Sequence, residues 1–556
     1  MIFNRHRIVI LGISIVFGLM LMRMLSLTYF DREFLQERGS TIAERTISIP
    51  VNRGIIYDRN RQPLAISIPT YSIWTDPGFD SIDPQDIPNL AAALQISHRS
   101  LENTLLAAQD TRFLYLKRRT TQEVADAVEQ LQIKGVRFKT EYRRYYPAAE
   151  VTSHVVGFTN IDGDGIEGLE AAENQALRGR PGKRRVLRDR EGRELRDLEL
   201  SEPPVFGQDI TLTLDLGLQY LTYRTVREAV FQYKAVSASA VVLSVASGEI
   251  LAMANFPTFN PNDLTDRDPL RMRNRAIKDV YEPGSTIKPF SALAALESRH
   301  FRASSVINTS PGHLYVDQKL VEDPRDYGTL TLEKVLVKSS QVGIAKVALT
   351  LGETEISDVL LRAGFAKRPH SGLPHEAAGS LRQEELKRDI GRVTLAFGYG
   401  LSVSPLQLAS AYLILASGGQ KTPVTILRND VEPQEPRKQI FFPADVQEIL
   451  NILRGVVSPI GTAPGASVEG FAVAGKTGTV RKITNGQYDD TRHIAWFVGI
   501  VPVDEPQIVA VIVVNEPKGE VFSGGGVAAP IFSRIVKHAL QLVVPHTERG
   551  WNGDTS

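Results

Sequence analysis

Glu282-Pro283-Gly284-Ser285-Thr286-Ile287-Lys288-Pro289-Phe290 is the stretch whose reading decides the fold. Pro283 and Gly284 break whatever precedes them. The run that follows, Ser291-Ala292-Leu293-Ala294-Ala295-Leu296-Glu297, favours helix, so a helix is expected to begin near Ser285. Pro289 has no N–H to donate and is tolerated only in a first turn, so the helix cannot start much earlier. The Ser285 hydroxyl is therefore expected at a helix N-terminus, where free N–H groups and the dipole favour a developing anion. Lys288, three residues on, is expected on the same face and within reach of it.

A Ser-Lys pair can perform acyl transfer, because serine is a poor nucleophile until a neighbouring base takes its proton. An amine in a dry, positively biased pocket can lose its own proton and serve as that base. Taken alone, S-x-x-K is expected by chance about once or twice in a chain of this length. Its bland reading is an N-cap serine beside a solvated lysine. Ser285 is nevertheless the only serine here with a lysine three residues on, and two further stretches accompany it. Lys338-Ser339-Ser340-Gln341-Val342-Gly343 opens an apolar run, and Gly475-Lys476-Thr477-Gly478-Thr479-Val480 holds the only K-T-G. The three motifs in this order are far more specific than any one of them.

Composition narrows the class. With 556 residues, 42% hydrophobic and 23% charged, the chain is globular and long enough for two to four domains. A net charge of +1 argues against a nucleic-acid partner. Lys183-Arg184-Arg185 is followed by Asp189, Glu191 and Glu194, which reads as a solvated face. The absence of cysteine excludes disulfides and thiolate-bound metal, and neither H-E-x-x-H nor G-x-S-x-G occurs, so no cofactor is expected.

Ile8 to Met22 carries no charge, and the apolar character resumes after Arg23 through Phe30. Together this reaches the roughly 20 residues a bilayer core requires. Arg5 and Arg7 precede it without an acid, so the N-terminus is expected in the cytoplasm and the remainder outside the cytoplasmic membrane. Arg23 could snorkel to the interface or face a partner helix. No A-x-A-like cleavage site follows, which favours an uncleaved anchor over a signal peptide.

Four segments are expected: a stub and transmembrane anchor (1–30), an N-terminal module (31–204), a catalytic domain (207–545) and a disordered tail (546–556). The module opens with an alternating β-branched run from Ile47, turning at Asn60 to Gln62 and continuing through Ile68. Helices are expected over 89–94 and 122–131. Asp162-Gly163-Asp164-Gly165 lacks EF-hand spacing and reads as a turn. Ser201-Glu202-Pro203-Pro204 reads as the joint. Beyond it, strands are expected over 208–214, 238–245, 249–255, 493–501 and 507–515, with helices over 218–233 and 528–544. Asn485-Gly486 signals a hairpin. Strand-rich ends around a helix-rich middle predict an α+β domain, an antiparallel sheet flanked by helices, with K-T-G on an edge strand facing the catalytic helix.

The chain resembles the class B penicillin-binding proteins, monofunctional peptidoglycan D,D-transpeptidases, and most closely the septal, FtsI-type division enzymes. Besides the three motifs, the resemblance rests on Arg53-Gly54-Ile55-Ile56-Tyr57-Asp58-Arg59, Gly157-Phe158-Thr159-Asn160, Ile166-Glu167-Gly168, Arg273-Asn274-Arg275 and Phe397-Gly398-Tyr399-Gly400-Leu401. It implies an elongated, dimerisation-type pedestal for the N-terminal module. It implies that Ser285 attacks the D-Ala-D-Ala bond of a peptidoglycan stem peptide and that Lys288 takes its proton. Ser339 would relay a proton to the leaving amine and Lys476 would hold the pocket positive. Thr477 and Thr479 would contact the terminal carboxylate, with Gly478 between them and Gln341 also binding substrate. The amides of Ser285 and Thr479 would form the oxyanion hole, β-lactams would acylate Ser285, and the partners would be divisome membrane proteins including a polytopic lipid-linked glycosyltransferase.

Gln341 departs from the family, whose second motif ends in asparagine; the amide is kept but displaced by one methylene, roughly 1.5 Å. Gly524-Gly525-Gly526 reads as a turn with a weak claim to line the site. Three other readings stay open. A membrane-anchored β-lactamase would need a deacylating water, an elongation-type transpeptidase would differ only in where it works, and a non-enzymatic β-lactam sensor or scaffold would need no turnover.

Overall fold

The computed structural model describes residues 2–34, 44–188, 194–263, 265, 267–428, 437–484 and 486–543. The expected tail and the acids Asp189 and Glu191 lie outside the described residues. The chain forms two compact units, Met1–Arg53 with Arg178–Gln208, and Gly54–Leu177 with Asp209–Ser556.

In the first unit the N-terminal helix Ile2–Leu25 runs on into a wider turn, Ser26–Phe30. The stretch His6–Phe30 is the one described helix long and apolar enough to cross a membrane. Arg23 Nη1 lies 3.3 Å from Asp31 Oδ2, so this cation is directed toward the helix end. The rest is a three-stranded antiparallel sheet of Glu44–Ile49, Gly182–Arg188 and Glu194–Glu202, with Gly182–Arg188 central. Its basic run is charge-paired across the strands on both faces of the sheet: Lys183 pairs with Glu202 at 2.9 Å, Arg184 with Asp197 at 2.5 Å, and Arg185 with Glu44. Such exposed pairs add little to stability, so they specify register more than they hold the sheet.

The second unit begins with a small sheet around the long strand Pro63–Thr75, which pairs with Leu114–Thr120 and Val136–Tyr145. Helices Ile87–Leu94 and Gln122–Gln130 cover it, near their expected positions, through Leu90, Leu94, Val124 and Val128. Asp58 organises the adjoining turn: its Oδ1 accepts from the amides of Asn60 and Gln62, and its Oδ2 from the amide of Leu216. The 160–165 loop is a turn wound on Asn160, whose Oδ1 accepts from the Asp162 and Asp164 amides at 2.9 Å. Arg144 Nε donates to Glu170 Oε1 at 2.6 Å, both side chains being almost wholly buried.

The larger part of this unit is α+β. Helix α1 (Leu216–Gln232) leads into strands β1 (Ser237–Ser244) and β2 (Ile250–Phe256). Helices α2 (Lys288–Glu297), α3 (Leu332–Lys338), α4 (Gln341–Thr350) and α5 (Pro405–Ala416) form the middle. Strands β3 (Ala474–Thr484), β4 (Gln487–Val501) and β5 (Ile508–Asn515) return to the sheet, and α6 (Ala529–Val543) closes the domain. The sheet is antiparallel in the order β2-β1-β5-β4-β3, so K-T-G stands on an edge strand as expected. β3 and β4 form a hairpin with Thr484 opposite Gln487; Asn485 is outside the described residues. The expected strand over 208–214 is shorter, Ile210–Thr211.

Every residue of β1 and β5 is buried, which requires cover on both faces of the sheet. α5 packs on β1, β4 and β5, while α1 and α6 pack on the sheet and on each other. α5 is apolar nearly all round and buried at all but one of its twelve positions. A helix apolar on every side has no solvated face to keep, and this one lies in the core. Its start is set by Ser404 and Gln407, whose side chains each accept from the other's backbone N–H.

Candidate active site

Ser285 lies in a 3-10 turn, Gly284–Ile287, that passes directly into α2, with Pro289 in the first α-helical turn. A 3-10 turn has three residues per turn, so positions 285 and 288 stack above one another. The helix expected to begin near Ser285 thus starts as a tighter turn than anticipated, with Lys288 opening α2 directly after it. The turn is clamped on several sides. Thr286 Oγ1 donates to Pro283 O at 2.8 Å, Tyr412 Oη of α5 donates to Thr286 O at 2.7 Å, and the Gly284 amide donates to Gly398 O at 3.1 Å.

The second motif straddles two helices. Ser339 ends α3 in the left-handed conformation, with φ 58°, and Ser340 caps α4, accepting from the Gly343 amide at 2.8 Å. The αL residue reverses the chain between the helices and leaves both the carbonyl and the hydroxyl of Ser339 directed at Lys288. Lys288 Nζ donates to Ser339 O at 2.5 Å, to Ser340 O at 3.2 Å and to Ser339 Oγ at 3.3 Å. Lys476 Nζ, arriving from β3, donates to the same Ser339 Oγ at 2.9 Å. One hydroxyl therefore lies between two ammonium groups. Among the described residues Ser285 Oγ has no hydrogen-bond partner, and it remains partly open to solvent.

Both lysines are fully buried. Burial pushes the Lys288 amine down to about 7, against an opposing pull from the Asp323 carboxylate. Burial also drives Lys476 well below the usual lysine range, and the charge of Lys288 adds to that fall. Two ammonium groups on one hydroxyl in a dry site cannot both stay charged without cost.

β3 lies against the Ser285 turn. A Cβ at Gly478 would come within 2.8 Å of Pro283 O and 3.1 Å of Thr286 Cγ2, so only glycine permits this approach. Thr477 is buried, its hydroxyl paired with that of Thr462 at 2.9 Å. Thr479 is exposed toward the cleft, and its Oγ1 accepts from the Gly524 amide at 3.0 Å. The glycine run at 524–526 therefore does adjoin the site. Gln341 is half-buried, and its side-chain amide makes no hydrogen bond among the described residues. It lines a cavity of about 530 Å³ that extends past Glu282, Tyr399, Arg481 and Tyr488.

The structure thus brings Ser285, Lys288, Ser339, Gln341, Lys476, Thr477, Gly478 and Thr479 around one cleft. It adds Asp323, Gly398 and Thr462, to which the sequence assigned no role, and Gly524, to whose glycine run it gave only a weak claim. A serine three residues from an amine whose titration point burial brings to about 7, next to an edge strand bearing hydroxyls, can form and resolve an ester with an acyl donor.

Comparison with known proteins matches residues 238–537 to the penicillin-binding protein transpeptidase domain and residues 48–212 to the penicillin-binding protein dimerisation domain. The chain is 37% identical over 538 residues to the peptidoglycan D,D-transpeptidase FtsI of Escherichia coli, covering 96% of this chain and 90% of that one. Among solved structures, the transpeptidase domain of Burkholderia pseudomallei penicillin-binding protein 3 is 37% identical, with a TM-score of 0.55 over 60% of this chain and 97% of that one. Mycobacterial penicillin-binding protein 3 in complex with aztreonam is 26% identical, with a TM-score of 0.69 over 90% of this chain and 98% of that one.

Proposed function

The chain belongs to the penicillin-binding protein transpeptidase family, and from that premise we propose the part each site residue plays. It is a membrane-anchored peptidoglycan D,D-transpeptidase of the class B, FtsI type, a serine acyl transferase of septal wall synthesis.

The observation that carries the proposed roles is the Ser339 hydroxyl held by both lysine amines beside the Ser285 turn. Neutral Lys288 accepts the Ser285 proton as Oγ attacks the carbonyl carbon of the penultimate D-alanine. The oxyanion is held by the amides of Ser285 and Thr479, donors typically worth a few kcal/mol each. Ser339 passes the proton to the departing amine of the terminal D-alanine, leaving an ester on Ser285. An amine of a second stem peptide then attacks that ester, the proton returns to Ser285, and a cross-link has formed. The donor's terminal carboxylate is bound by Thr477 and Thr479 over Gly478, and its charge restores a proton to Lys476. Gln341 offers its free amide to the donor's acyl side. A β-lactam acylates the same oxygen and stays.

We further propose the boundaries 1–30 for the anchor, 31–204 for the pedestal and 207–545 for the catalytic domain. The N-terminus lies in the cytoplasm and the catalytic domain outside the membrane, with divisome proteins and a polytopic glycosyltransferase as neighbours. The test is fluorescent-penicillin labelling of the full chain. Label that requires Ser285, is absent in Ser285→Ala and persists for many minutes is the expected result. Loss of label within seconds would instead indicate a β-lactamase, and no label on folded protein would overturn the acyl-transfer reading.

A further inference from the structure

The second motif is anchored by a carboxylate from outside the three motifs. The chain forms a hairpin, His313–Val316 with Lys319–Glu322, and Asp323 follows it directly. Asp323 is buried, and its own amide donates to Gly312 O at 2.9 Å, which fixes the root of the hairpin. Its Oδ2 accepts from Ser340 Oγ at 2.6 Å. Its Oδ1 accepts from the Gln341 amide at 2.5 Å and the Val342 amide at 3.3 Å. Three donors converge on this one side chain at the head of α4, where a negative charge meets the positive end of the helix. The same Ser340 carbonyl and the adjoining Ser339 are what Lys288 holds. A buried carboxylate and a buried ammonium thus grip one turn of backbone from two sides.

We propose that Asp323 is a positioning residue of the acyl-transfer site, whose carboxylate fixes the second motif and whose charge offsets the two lysine amines that face Ser339. The charged groups facing Lys288 are Asp323, from the hairpin, and Lys476, from β3; Ser285 and Ser339 are the neutral neighbours. Asp323 favours the ammonium form of Lys288, whereas burial opposes it. Without its charge the Lys288 amine gives up its proton at lower pH. Asp323 therefore sets the pH at which the base becomes available, besides holding Ser339 in place.

This inference rests on the acyl-transfer reading, and the experiment separates the two. The second-order rate of acylation by a fluorescent penicillin is measured against pH for the full chain in detergent. Asp323→Asn keeps an oxygen acceptor for the backbone amides and removes the charge. The expected result is an acid limb moved to lower pH by about one unit, so that the rate at pH 6, as a share of its own plateau, rises roughly five-fold. Ser340→Ala loosens the same carboxylate but keeps its charge, and its limb stays at the wild-type position whatever happens to the plateau. An Asp323→Asn limb that does not move, or a Ser340→Ala limb that moves equally, overturns the proposal. Should Asp323→Asn not fold, Asp323→Ser reads the same limb. If both neutral variants fail to fold while Asp323→Glu folds and acylates, no separable electrostatic role exists and the proposal falls. Absence of acylation in the wild type would defeat the underlying reading instead.

Discussion

Gly398→Ala tests how the Ser285 turn is held. Gly398 has φ 90°, and a Cβ there would lie 2.0 Å from Gly284 O and 2.6 Å from its carbonyl carbon. To reach an ordinary contact of 3.4 Å, that carbonyl must retreat by 3.4 − 2.0, or about 1.4 Å. Gly284 is itself closely packed, Val480 Cγ2 lying 2.5 Å from where a Cβ on it would stand, and Ser285 is the next residue. A misplacement of about 1 Å at a reacting group costs on the order of a hundredfold, or roughly 2.7 kcal/mol of barrier. Gly364→Ala is the control: its φ is 95°, yet nothing lies within 4 Å of the new methyl. Both variants bear the backbone strain, about 1–3 kcal/mol, visible as a lower melting temperature. Only Gly398→Ala should also lose acylation by fluorescent penicillin, by about a hundredfold. A folded Gly398→Ala protein acylated within about threefold of wild type would refute the clamp.

Three further outcomes are expected. Acylation of the wild type needs neutral Lys288, with a titration point near 7, so its rate should rise with pH, reaching about a tenth of its plateau at pH 6. A limb above pH 9, where an unperturbed lysine titrates, would remove Lys288 as the base. His154 is buried, its Nε2 donates to Arg271 O at 2.8 Å, and desolvation lowers its titration point from 6.5 to about 4. The unfolded chain binds the proton first, so this contribution is present above pH 6.5 and is lost as pH falls toward 4, by roughly 3 kcal/mol. Urea unfolding at pH 7.5 and 4.5 should show a smaller difference for His154→Gln than for wild type; an equal difference would clear His154. Gln341→Asn should change the acylation rate by less than about tenfold, because an amide remains in the cleft. A gain of a hundredfold or more from a near-zero start would show that the longer side chain disables the site.

The three motifs were legible because each is local. Ser285 and Lys288 are three residues apart, Ser339 and Gln341 two, and K-T-G is contiguous, so neighbouring backbone sets their geometry. The long strands and α1 were legible for a similar reason, since apolar runs and turn residues act over a few positions. The tighter turn at Ser285 was not, because the contest between 3-10 and α geometry is decided by the clamps from Tyr412 and Gly398, distant in sequence. Nor did the sequence signal Asp323 or Thr462, single polar residues outside any pattern until the chain brings them to their partners.

The sequence by itself determined which chemistry this protein carries: the candidate nucleophile, the candidate base, the edge-strand motif and the apolar N-terminal helix. Only the tertiary structure decided how that chemistry is tuned. It placed both buried lysines on one hydroxyl, set a hairpin carboxylate against the second motif and pressed glycine backbones together where a side chain would not fit. Charge stabilisation and steric fit depend on distances through space, and those are settled when elements far apart in the chain pack into a common core.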